Sequence, residues 1–148
     1  MRLISSSFDD DGIIPRKFGY KYENFSPSLN IEDIPPSTVS LALIVDDPDA
    51  MGAVGKIWVH WIVYNIDPSN SNFNENSVPP NCLIGINDFG DSGWGGPAPP
   101  DKEHKYIFKI YALDTKLEFN NVPSKSDLEK KIDEHIIEQS ILTGRFSP

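Results

Sequence analysis

The run Thr38-Val39-Ser40-Leu41-Ala42-Leu43-Ile44-Val45 decides the fold class. Val39, Leu41, Leu43 and Val45 recur at period two, and the residues between them, Ser40, Ala42 and Ile44, are small or apolar. A stretch with so little polarity on either face reads as an interior strand whose second face is at least partly covered. It runs into Asp46-Asp47-Pro48-Asp49, a cluster of turn formers. Residues 57–66 read as a second strand, rich in β-branched and aromatic residues. A third runs from His104 to Leu113, with His104, Tyr106, Phe108 and Ile110 on one face and Lys105, Ile107, Lys109 and Tyr111 on the other.

Between these strands lie two irregular segments. Residues 67–81 are polar and rich in Asn, and predict a surface excursion. Residues 85–100 hold five Gly and three Pro, which excludes regular structure. Only the C-terminal part has helical spacing. Ser126 and Glu129 stand at capping-box distance. Leu128, Ile132 and Ile136, flanked by Ile137 and Ile141, predict a helix that Gly144 stops. The reading is a mainly β, mainly antiparallel fold with helical trimming. With 148 residues and no break in composition, it forms a single domain, 1–148.

Composition removes several functions. The net charge of −9 argues against nucleic acid, whose phosphates require clustered Lys and Arg, and against an anionic membrane surface. A lone Cys, Cys82, cannot form an internal disulfide or a multi-thiolate metal site. No apolar run approaches the ~20 residues of a membrane span, and no signal-peptide core precedes Asp9-Asp10-Asp11, so a cytoplasmic location is expected.

The chemistry-bearing residues sit in or beside the strands. Asp47 ends the first, His60 lies within the second, and His104 opens the third with Tyr106 on the same face. Each has an ordinary structural reading: a hydrogen-bonded core histidine, a turn aspartate, a half-buried tyrosine. The stretch Gly93-Trp94-Gly95-Gly96-Pro97, joined to the His-x-Tyr strand by a short proline-rich spacer, shifts the balance towards a site. Glycine admits close ligand approach, and successive N–H groups of such loops can cradle an anion. The glycine fingerprints of nucleotide-binding loops are absent.

Taken in order, Asp47-Pro48-Asp49-Ala50, His60-Trp61, Gly95-Gly96-Pro97-x-Pro99-Pro100 and His104-Lys105-Tyr106 resemble the phosphatidylethanolamine-binding protein family, also called Raf kinase inhibitor-like, in its bacterial and archaeal branch. Ser26-Pro27-x-Leu29, Asn87-Asp88-Phe89-Gly90, Tyr111-Ala112-Leu113-Asp114 and a His135-Ile136 helix extend the likeness over nearly the whole chain. The resemblance implies a central antiparallel sheet packed on a smaller one, sandwich-like and Greek-key, with C-terminal helices. It implies a non-catalytic binding or regulatory protein, without cofactor, whose pocket takes phosphate or a phosphorylated headgroup. The contact set it implies is Asp47, Asp49, His60, Gly95, Gly96, Pro97, His104 and Tyr106, with backbone donors around Gly95 and Gly96. It further implies a kinase or protease partner and a homodimer.

The chain departs from the family pattern at four places. Met51 replaces a Pro, so the family's cis X-Pro bond has no counterpart here. Trp94 replaces Tyr, and Ala98 replaces Cys. Lys105 replaces Arg, and its lack of a planar fork would weaken any brace at the pocket rim. The expected mechanism is that Asp47 orients or charges a histidine, while both histidines, Tyr106 and the glycine-loop N–H groups donate to the anion. Two rival readings stand beside it: a two-histidine, one-carboxylate metal or acid–base enzyme site on the same residues, and protease inhibition through the 67–81 loop.

Overall fold

A computed structural model describes residues 1–148. The three expected strands are β4 (Ser40–Asp47), β5 (Trp58–Ile66) and β7 (His104–Leu113), and they form the centre of a six-stranded sheet. Its order is β2-β8-β7-β4-β5-β6, with β2 (Gly12–Ile13), β6 (Leu83–Ile84) and β8 (Ile136–Phe146) completing it. All pairs are antiparallel except β2 with β8. Strand β7 follows β6 in the chain yet pairs with β4, on the far side of the β4–β5 hairpin. A second, two-stranded sheet joins β1 (Arg2–Ile4) to β3 (Asn30–Glu32).

Every residue of β4 is buried, because both faces of the large sheet are covered. On one face Leu41, Leu43 and Val45 meet Leu3 and Ile31 of the small sheet, together with Phe18, Leu29 and Phe73. On the other, Ala42 and Ile44 meet Leu117, Leu128 and Ile132. The 67–81 excursion is tied down on the first face: Phe73 is buried, and its main chain bonds that of Leu29 in both directions.

The C-terminal helix differs from the sequence reading. Helix α2 covers only Lys125–Ile132 and is capped by Ser124 with Asp127, not by Ser126 with Glu129. Residues 136–146, expected to carry the helix to a stop at Gly144, form β8 along the length of β7. The Ile136–Ile137–Ile141 spacing suits a helix locally, but ten residue pairings with β7 prevail. His135 therefore lies in the turn after the helix, where Nδ1 bonds Asp114 at 2.8 Å. Helix α2 is pinned to the sheet by buried Asp46, whose carboxylate accepts from Lys109 and Lys125, each at 2.8 Å. No helix is long and apolar enough to cross a membrane.

Candidate functional site

The three central strands bring the candidate residues to one end of one face. Asp47 follows Val45 at period two on β4, and His104 and Tyr106 precede Phe108 on β7, all on the face of the larger core. His60 reaches that face by an irregularity. Val45 pairs with Trp61 while Asp46 pairs with Val59, so His60 is the extra residue of a bulge. Strict alternation would place Val59 and Trp61 on one face, but they belong to the two opposite cores. The bulge turns His60 towards Tyr106, with ring centroids 5.1 Å apart. It also puts Trp58 and Trp61 on the same side of the sheet, not on opposite faces as the unbroken period predicts.

These side chains line a cavity of about 250 Å³. Its polar wall is Asp47, His60, His104 and Tyr106, and Trp58, Phe89, Val54, Ala98, Pro99 and Pro100 supply most of the rest. Phe89 forms a rigid aromatic corner, stacked on Tyr20 and edge-on to Trp58 and His60.

The two histidines are held differently. His104 Nδ1 bonds Asp47 Oδ2 at 2.6 Å, so Asp47 does orient a histidine. Nε2 of the same ring bonds Asp101 Oδ1, also at 2.6 Å. Burial works against the charged ring, but the two carboxylates outweigh it and raise His104 above its ordinary range. His60, 2% exposed, places Nδ1 at 2.5 Å from Gly95 O. Burial holds its pKa down to about 4, so the ring is neutral. A carbonyl only accepts, which puts the single proton on Nδ1 and leaves Nε2 as an acceptor. The expectation that both histidines donate to a ligand is corrected here: one presents a lone pair, and the other has both nitrogens engaged.

Tyr106 is 1% exposed, and its hydroxyl has no hydrogen-bond partner. Burial first, then the carboxylates of Asp47 and Asp49, raise its pKa, so it stays a donor. Trp58 Nε1 is likewise buried without a partner.

The glycine loop plays another part than the expected one. Gly95 N–H donates to His60 O, and Gly96 N–H to Asn24 Oδ1, so neither is free for a ligand. Neither glycine nor Pro97 lines the cavity, and the Pro97 carbonyl accepts from Tyr20 N. A Cβ at Gly96 would lie 1.9 Å from Phe18 O, and one at Gly95 would lie 2.5 Å from the Phe89 ring. The glycines are needed so that the protein's own groups can approach.

Asp49 is also outside the cavity. It is exposed, and its Oδ2 accepts from the main-chain N–H of Lys105 at 2.8 Å. This brace does not use the residue-105 side chain, so replacing Arg by Lys leaves it intact. Met51 lies in helix α1 (Ala50–Val54), where its N–H donates to Pro48 O, a bond that proline could not make. Two features escaped the sequence reading: the Phe89–Trp58 wall of the cavity, and Asp101, which bonds His104 from outside the lining and whose only signal was its position three residues before that histidine.

The Asp-Pro-Asp, His-Trp and His-Lys-Tyr segments that meet at this cavity lie within a chain that matches a known family. The family profile described as Phosphatidylethanolamine-binding protein matches residues 4–147. The chain belongs to the phosphatidylethanolamine-binding protein family. It is 38% identical to a UPF0098 protein of the archaeon Methanothermobacter thermautotrophicus, over 99% of this chain and 98% of that one. A phosphatidylethanolamine-binding protein homologue of Chlamydia trachomatis superposes with a TM-score of 0.91 at 36% identity, covering 99% and 97% of the two chains. Escherichia coli YbcL, described as a member of the mammalian family, gives a TM-score of 0.91 at 28% identity, covering 99% and 98%. The phosphatidylethanolamine-binding protein fold thus accounts for the whole described chain.

Proposed function

We propose that this member of the phosphatidylethanolamine-binding protein family is a non-catalytic binding protein whose cavity receives one oxyanion group of a small phosphorylated molecule. The observation that carries this is the Tyr106 hydroxyl, a buried donor left unpartnered on a residue that lines the cavity. An unmade bond at such a group costs about 1–3 kcal/mol, which a ligand oxygen recovers. His104 supports the reading. Its Nε2 already holds one carboxylate, that of Asp101, which is 43% exposed and can be replaced by an arriving anion. The lining holds no serine, cysteine or lysine to serve as a nucleophile. The metal-site rival has little geometric support, since His104 has both nitrogens on carboxylates and His60 has Nδ1 on a carbonyl. A kinase or protease partner that presents a phosphate or carboxylate falls under the same reading.

The test is calorimetric titration with inorganic phosphate and phosphoethanolamine, repeated on Tyr106→Phe. The variant removes only the hydroxyl, and affinity is expected to fall by about tenfold or more. Equal affinity in both proteins, or no binding to the native one, would overturn the proposal.

A further inference from the structure

We infer that the cavity selects an oxyanion that still carries a proton: a phosphomonoester in its singly charged, P–OH form, in preference to the dianion or to a sulfate. The inference rests on the anion-pocket reading above and goes on to specify the ligand's protonation state.

The cavity is not a ring of donors. Tyr106 donates, and His104 donates through Nε2 once Asp101 moves away. Facing them is His60, whose proton is committed to Gly95 O and whose Nε2 makes no bond within the protein. Asp47 lines the same wall, its two oxygens already accepting from Ala50 N–H and His104 Nδ1, so it offers the ligand no donor. A ligand of acceptors alone would set a lone pair against that of His60. One P–OH turns the clash into a hydrogen bond, while the remaining oxygens still accept from Tyr106 and His104. Hydrogen bonds to specific protons discriminate well because the wrong partner leaves a buried polar group unpaired.

The surrounding charges act in the same direction. Asp46 and Asp47 come from β4, Asp49 precedes α1, and Asp88 and Asp101 come from the loops before β7. Opposing them are His104, Lys56, paired with Asp88 at 3.1 Å, and Lys109 and Lys125, both paired with Asp46 at 2.8 Å, so the five carboxylates outnumber the four cations by one. A second negative charge on the ligand would be placed in an acidic field.

The experiment uses the native protein and three ligands that lack an amine: methyl phosphate, methylphosphonate and methyl sulfate, titrated calorimetrically across about pH 5 to 8, where His60 is neutral. Methyl phosphate is expected to bind with constant affinity at the acid end and to weaken about tenfold per pH unit above its second pKa of ~6. For methylphosphonate, which loses its second proton at higher pH, the decline should begin correspondingly later. Methyl sulfate should bind at least about tenfold more weakly than methyl phosphate at the acid end, with no such decline. If the two phosphorus ligands weaken at the same pH, a protein group is titrating and the inference fails. Sulfate binding as tight as phosphate also overturns it, and in both cases the anion pocket stands. Binding of none of the three overturns the inference and the pocket together.

Discussion

His104 Nδ1 stands 2.6 Å from the Asp47 carboxylate, joining residues 57 positions apart at the buried end of β7 and β4. With Asp101 on the other nitrogen, the ring is held between a buried and an exposed carboxylate. This arrangement determines which histidine is charged, and the first prediction follows from it.

Asp47→Asn keeps the shape of the side chain and removes its charge. Since the native pKa of His104 is raised, its contribution to stability is complete below the ordinary value of 6.5 and is lost as pH rises through the native pKa. In Asp47→Asn the ring should titrate at lower pH, read from its carbon-bound protons by NMR. The cost of breaking the buried pair should be about 3 kcal/mol in urea unfolding near pH 6. An unmoved titration would show that Asp47 is not what charges the ring.

His60 has the opposite sign. The unfolded chain takes up its proton near pH 6.5, and the native ring only near about 4. Stability from this group is complete above 6.5 and falls as pH drops towards 4, by about 3 kcal/mol. His60→Asn removes the titration and leaves an amide donor in place of the ring. Urea unfolding between those limits should show the native protein losing about 3 kcal/mol more than the variant. Parallel curves would mean that the ring is charged in the fold.

Asp101→Ala removes the carboxylate at His104 Nε2. The aspartate is half exposed, so the displaced bond is weak, and phosphate affinity near pH 6 should rise only about threefold to tenfold. Unchanged or weaker binding would mean that the anion does not take Asp101's place.

Gly96→Ala tests why the loop is glycine. The new Cβ meets the Phe18 carbonyl, a backbone atom, at 1.9 Å, so the loop or the 16–18 turn must shift. A loss of about 3 kcal/mol or more in stability is expected, with binding reduced only through misplacement of His60. Full stability combined with lost binding would restore the glycine loop to the ligand contacts.

Strands β4 and β5 were legible because burial on both faces leaves a long, largely apolar run, and β7 because its buried residues alternate with Lys105, Ile107 and Lys109. The Asp47, His60, His104 and Tyr106 set was legible through ordered motifs. The His60 bulge was not, because it is defined by a register between two strands and leaves no mark on one of them. The β8 segment was misread for a related reason: its isoleucines suit a helix, and only pairing with β7 makes them a strand.

By itself, then, the sequence determined the three central strands, the acidic balance of the chain, and the four polar residues that gather at one strand end. The tertiary structure decided what those residues can do. It put the proton of His60 on Nδ1 by placing Gly95 O beside it, and it placed Asp101 on His104. It also filled the space over Gly95 and Gly96 with Phe89 and Phe18. A hydrogen bond's direction depends on which atom stands opposite, and here the opposite atom comes from a segment distant in the chain in all but one case, Asp101.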